Sequence, residues 1–275
     1  MTGKARTLLA FAPMINCEAT RCVLEYYDLP YREVDRLFGW ANILTFFHGG
    51  YGEVPVYYGG GIRLSGPAPI VRRFDVERGS PRLLPPDEPL RTRIWDQWKF
   101  FHNVLPAGVV AFCYYHLLTE TRAMKKSFAE PISPLGRALM PVIYPGLRAL
   151  LSTLLQLNPG HIEDCRTRIR TILDRVDRTL AHQDYMVGDR ITLADIGMVS
   201  SAAPILVPPH YARWLPPPND WPPGFADMVA ETRARPCAPY VDRIYAEIAK
   251  RANGDGRSAP TRRKSARPIP AKQQS

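Results

Sequence analysis

The run Tyr185-Met186-Val187-Gly188-Asp189-Arg190-Ile191-Thr192-Leu193-Ala194-Asp195-Ile196 constrains this chain more than any other stretch, because every local signal in it points to one helix start. Thr192 is a strong N-cap residue, and Asp195, three positions on, stands where a capping box places its acidic partner. The Thr192 hydroxyl is expected to accept from the Asp195 N–H while the Asp195 carboxylate accepts from the Thr192 N–H. Ile191 and Ile196 fall at N′ and N4, the two positions of a hydrophobic staple. Thr192 and Asp195 therefore have a structural role at a helix terminus.

The N-terminal part reads as strand, helix, strand. Thr7 to Phe11 is a short apolar strand candidate. Cys17 to Tyr27 carries apolar residues at Ala19, Val23, Leu24 and Tyr27, a helical spacing. Leu29 to Val34 then reads as a second strand entered by Pro30.

Two of these stretches match a known pattern. The segment from Cys17 through Glu18, Ala19, Arg21, Leu24, Leu29 and Pro30 to Tyr31 resembles the first helix and following strand of bacterial glutathione transferases, whose form is close to C-E-K-A-R-x-A-L-x-x-K-G-L-P-Y. The stretch from Val187 to Asp195 resembles the V-G-D-x-x-T-x-A-D segment that opens the central core helix of their C-terminal domain. The resemblance covers roughly residues 7–250 and is strongest at 17–31, 54–57 and 185–196. It implies an α/β plus all-α chain: an N-terminal thioredoxin-like domain over 1–80 followed by a glutathione transferase-type helical domain over 85–250. It further implies that Val54-Pro55 precedes a third strand, with a cis proline and a backbone that pairs with glutathione. Glutathione as co-substrate, a hydrophobic small molecule as second substrate, a homodimer and a cytoplasmic detoxification role follow from the same resemblance.

The departures from the pattern fall at the glutathione site. Where the family reads L-x-E-S-x-A-I, this chain has Leu64-Ser65-Gly66-Pro67-Ala68-Pro69-Ile70. Gly66 replaces the Glu and Pro67 the Ser, which removes a hydroxyl and a backbone N–H that would face the γ-glutamyl carboxylate. Ser65 is the neighbouring hydroxyl that a shifted turn would bring into use. Met14 stands where relatives often carry a serine.

Cys17 is the remaining candidate for chemistry. It lies at the amino end of the first helix, where unpaired N–H groups and the helix dipole favour a thiolate. Arg21 follows one turn later and adds positive charge on the same face. The resemblance places a cysteine or serine near this position in members that form mixed disulfides with glutathione. The competing reading is a buried cysteine acting as a small apolar residue. Cys22, five positions on, makes no Cys-x-x-Cys motif with it.

With 275 residues, 45% of them hydrophobic, the chain can bury a large core. Five cysteines without regular spacing point to a reducing compartment and away from a structural metal site. Lys4 and Arg6 before an apolar run give a superficial look of a secretory signal, but that run is needed as the first strand. Val104–Leu118 and Leu135–Leu157 are too short or too interrupted by Pro and Arg to span a bilayer. The aromatics around the first of these stretches mainly build core and interfaces. Trp98, Phe101 and Phe112, with Met14, are the expected walls of a pocket for the hydrophobic substrate.

Residues 120–158 form an expansion with Pro131, Pro134, Pro141 and Pro145, read as a lid or as an extended dimer surface. Val207 to Gly224 holds seven prolines and is expected to cover the core. From Arg251 to Ser275 seven Lys/Arg face one acid, so this tail carries +6 of the chain's +10. The tail is expected to be disordered and to touch polyanions weakly. The leading functional expectation is glutathione-dependent transfer or thiol transfer on a hydrophobic electrophile, with Cys17 catalytic and Val54, Pro55, Ser65 and Arg21 holding glutathione. The other is a non-catalytic module of the same fold that binds a ligand or partner.

Overall fold

The computed structural model describes residues 6–11, 13–35, 54–79, 82–120 and 134–252. Strand β1 (Thr7–Ala10) leads into helix α1 (Ile15–Tyr26), which returns to β2 (Arg32–Asp35), parallel to β1. β3 (Val56–Gly59) and β4 (Ile62–Ser65) form an antiparallel hairpin through Gly60 and Gly61, both at positive φ, as a tight turn requires. The strand order is β2-β1-β3-β4, the mixed sheet of a thioredoxin-like unit. Helix α2 (Pro67–Arg78) completes it and packs on α1. Leu8, Ala10, Tyr57, Ile70 and Phe74 fill the space between sheet and helices.

The rest is helical: α3 (Glu88–Asn103), α4 (Leu105–Leu117), α5 (Pro134–Leu154), α6 (Pro159–Leu180), α7 (Leu193–Leu206), the single turn α8 (Pro209–Ala212), α9 (Pro223–Arg233) and α10 (Cys237–Ala252). No described helix is long and apolar enough to cross a membrane. α7 is the centre. Every one of its residues is buried, and α1, α3, α4, α9 and α10 all pack on it. Gly197 lets α3 approach closely, since a Cβ there would lie 2.9 Å from the Trp98 ring.

The cap of α7 forms as its sequence predicts. The capping box between Thr192 and Asp195 is closed. Asp195 accepts the Thr192 N–H at 2.8 Å, the Thr192 hydroxyl at 2.7 Å, the Met186 N–H at 2.7 Å and the Tyr240 hydroxyl at 2.7 Å. Burial pushes the Asp195 carboxyl up, and these four donors oppose that shift.

One boundary shifts. α1 begins at Ile15, two residues ahead of the predicted start, with Met14 as N-cap. The apolar stretch from Val104 to Leu118 starts at a helix break: α3 ends at Asn103 and α4 begins at Leu105, with Pro106 in its first turn. The 207–224 segment does cover the core, through α8 and a 3-10 turn over Pro218–Asp220. The tail from 253 onward lies outside the described residues, as does 121–133 of the expansion.

Candidate functional site

The register of the sheet gathers three chain ends at one edge. Leu9, near the end of β1, pairs with Val56 at the start of β3, and Val56 pairs in turn with Ser65 at the end of β4. The start of α1, the Val54-Pro55 bond and the start of α2 therefore lie at the same end of the sheet. The Val54-Pro55 bond is cis. The Gly66 N–H donates to the Pro55 carbonyl at 2.9 Å, tying the last two of these together. A fourth element reaches this end: the Tyr211 hydroxyl of α8 donates to the Pro13 carbonyl at 2.9 Å, just ahead of Met14.

The start of α2 is poor in donors. Gly66 is its N-cap, at φ 76°, a conformation that glycine adopts without strain and Glu does not. Its N–H is occupied by Pro55, and Pro67 and Pro69 have none. An anion at this terminus meets the Ala68 N–H where a usual helix offers several. Ser65 ends β4 in a half-buried position.

Cys17 is enclosed, with no accessible surface, and its Sγ accepts the Phe11 N–H at 3.4 Å. This corrects the expectation of an accessible nucleophile: the helix-start position is right, but the thiol faces the core. Arg21 is likewise withdrawn from any ligand. It is 1% exposed, bonded to Glu18 at 2.9 Å and Glu33 at 2.5 Å, and stacked 4.5 Å from the Trp214 ring. Burial alone would lower its pKa, but Glu33 and Glu18 hold it well above the usual value. Its charge is spent inside this triad.

Trp98, Phe101 and Phe112 are also core rather than pocket wall. All three are buried, Trp98 and Phe101 against Gly197 and Phe112 beside His116. For Trp98 and Phe101 the physical reason is the close approach of α3 to α7 that Gly197 permits. Met14 is half-buried at the α1 cap and stays at the site's edge.

One residue that sequence reasoning passed over stands out. Asn16, in the first turn of α1, has a buried side-chain Oδ1 with no hydrogen-bond partner. Buried polar atoms are rarely left so, and each one asks for an explanation. The available signal was a polar amide beside Cys17 at a helix start, a place where Asn is ordinarily read as a local capping residue.

A thioredoxin-like sheet followed by an all-helical part around one buried, capped helix defines the glutathione transferase fold. Residues 159–227 match the family model described as "Glutathione S-transferase, C-terminal domain". No curated protein matches the sequence. Among solved structures it is similar to FzlA from C. crescentus, with 18% identity, a TM-score of 0.54, and coverage of 86% of this chain and 92% of that one. It is similar to the beta-etherase LigF from Sphingobium sp. strain SYK-6 at 17% identity and a TM-score of 0.54, covering 89% and 100%. A glutathione S-transferase from Rhodospirillum rubrum F11 gives 18%, 0.52, 86% and 91%. At these identities the likeness is one of fold.

Proposed function

We propose that the protein is a glutathione S-transferase-like enzyme that holds the thiol of a glutathione-type tripeptide at the start of α1, with Asn16 rather than Cys17 meeting the sulfur. The observation that carries this reading is the unpartnered, buried Asn16 Oδ1 at a helix N-terminus. Leaving such an acceptor unmet costs roughly 1–3 kcal/mol, which a donating ligand removes. The amide offers an acceptor to S–H and two donors to a thiolate, and the helix dipole favours the anion. The electrophile is a hydrophobic small molecule; the homodimer and cytoplasmic setting implied by the resemblance belong to the same proposal. Titration with reduced glutathione tests it. At about a hundred times the dissociation constant the fold should gain roughly 2.7 kcal/mol, and Asn16→Ala should remove both the thermal shift and conjugation of a chlorodinitrobenzene. No shift in the parent protein sinks the proposal.

The start of α2 favours the second reading, a non-catalytic binding module. With Gly66 occupied and Pro67 and Pro69 lacking donors, the carboxylate anchor is weak. That reading expects hydrophobic ligands to stabilise the protein while glutathione does not.

A further inference from the structure

The start of α1 is held from the far side of the chain. Met14 is its N-cap, and the Met14 carbonyl accepts the first helical bond, from the Glu18 N–H at 3.0 Å. The Pro13 carbonyl therefore stands one residue outside the helical ladder and needs another donor. Tyr211 supplies it, 198 positions on, through its hydroxyl at 2.9 Å. The turn that carries Tyr211 is stiff. Pro208 and Pro209 open it, and the Pro208 carbonyl accepts the Tyr211 N–H at 2.8 Å and the Ala212 N–H at 3.0 Å. The Trp214 N–H then donates to the Tyr211 carbonyl at 2.9 Å, and the Trp214 ring lies 4.5 Å from the Arg21 guanidinium in the second turn of α1. One short segment of the helical part thus grips α1 at two points.

The Tyr211 hydroxyl sits where its proton matters. A carbonyl oxygen carries negative charge, and one left unmatched just ahead of a helix N-terminus opposes the field that favours a thiolate there. The Tyr211 proton offsets it. Tyr211 is 1% exposed, and burial first, with Glu18 next, pushes its phenol well up, so the group stays a donor throughout the pH range in which a thiol titrates. Nearer in sequence, the Met14 N–H donates to the Phe11 carbonyl at 3.0 Å, and the Phe11 N–H meets the Cys17 sulfur, a weak acceptor, at 3.4 Å. Neither bond ties the start of α1 to the helical part. The Tyr211 bond does.

We propose that Tyr211 is a positioning residue of the thiol site: its hydroxyl holds the Pro13 carbonyl, and through it the first turn of α1, so that Asn16 and the helix terminus face the sulfur. Its role rests on the thiol site proposed above.

Reduced glutathione is the probe, and the ultraviolet absorbance of its bound thiolate is followed against pH in the parent and in Tyr211→Phe. The parent should ionise the bound thiol at lower pH than free glutathione. Tyr211→Phe should raise that midpoint by roughly one unit, a tenfold loss of thiolate at a given pH. In conjugation of a chlorodinitrobenzene its kcat should fall by more than its KM for glutathione rises. Loss of one hydroxyl should leave the melting temperature within roughly 4 °C of the parent. Gly197→Ala, which strains the contact of α3 with α7 without touching Pro13, is the control for lost stability and should keep the parent's midpoint. A parent that takes up no glutathione removes the thiol site, and the role of Tyr211 with it. A parent that binds and ionises glutathione while Tyr211→Phe keeps the same midpoint overturns the role of Tyr211 alone. So does an equal rise in Gly197→Ala, which makes the effect one of stability.

Discussion

Asp75 of α2 holds Leu83 in place: its carboxylate accepts the Leu83 N–H at 2.9 Å, and the Leu83 carbonyl accepts the Leu193 N–H at 3.0 Å. The segment joining the thioredoxin-like unit to the helical part is thereby tied to α2 on one side and to the first residue of α7 on the other. Asp75 also accepts the Leu84 N–H at 2.8 Å and the Tyr27 hydroxyl. Leu83 itself is fully buried.

Asp75→Ala is therefore expected to destabilise the whole protein. Each buried donor left without an acceptor costs roughly 1–3 kcal/mol, and this substitution strands the Leu83 N–H and the Tyr27 hydroxyl. Asp75→Asn keeps one carbonyl acceptor and should fall between. Urea denaturation checks both. A midpoint within error of the parent for Asp75→Ala would show that water replaces the carboxylate and that the tie is dispensable.

What could be read from the sequence was local. The cap at Thr192 and Asp195 needs only residues three apart, and the strand-helix-strand order of the N-terminus needs only periodicity. The errors came from partners distant in sequence. Cys17 looks reactive until α1 is placed against α7 and α10, and until the Tyr211 hydroxyl reaches Pro13 from 198 residues away. Arg21 looks available until Glu33 of β2 takes its Nε and Nη2. The fourth donor to Asp195, Tyr240, comes from 45 positions on and no local motif announces it.

Gly197→Ala sets propensity against packing. In an exposed helix the change should help by about 1 kcal/mol. Here the new methyl lies 2.9 Å from the Trp98 Cε3 and 3.5 Å from the Phe101 Cβ. Trp98 is stacked on His102 with ring centroids 4.2 Å apart and has little room to retreat. A net loss of about 1–3 kcal/mol is expected from overpacking, visible as earlier thermal unfolding. A gain in stability would mean that α3 and α7 separate easily.

Acid should weaken the contact between α6 and α9. Glu231 accepts from Arg170 Nε at 2.6 Å and Nη2 at 2.7 Å, with Arg166 at 3.5 Å. The Arg170 hydrogen bonds, ahead of the opposing effect of burial, hold the Glu231 carboxyl below its usual pKa. A folded-state pKa below the unfolded one contributes stability at neutral pH that is lost as pH falls through the folded value. Glu231→Gln should then be less stable than the parent at pH 7 by on the order of 0.5–1 kcal/mol, as for a partly exposed bidentate pair. The two proteins should converge below the ordinary glutamate range. A difference that persists undiminished at pH 3 would place the effect in packing instead.

The burial of Cys17 makes the most direct prediction about chemistry. All five cysteines are buried and none forms a disulfide. Burial pushes the thiols of Cys22, Cys113 and Cys165 up, and that of Cys237 up to about 12. Iodoacetamide reacts with accessible thiolate, so at pH 7.5 the folded protein should take up no label on the time scale that saturates an exposed cysteine, and all five should label in guanidinium chloride. Cys17→Ala removes one weak acceptor, for the Phe11 N–H, and should keep most of the stability and any glutathione conjugation. Arg21→Met should behave oppositely, because it leaves Glu18 and Glu33 as buried charges without their partner, at a cost of roughly 3–5 kcal/mol. The pair of variants separates the two roles that the first helix once seemed to combine: a thiol that can be removed with little consequence, and a guanidinium that holds α1 to β2. Rapid, selective alkylation of Cys17 in the folded protein would reverse this assignment and return the nucleophile to the site.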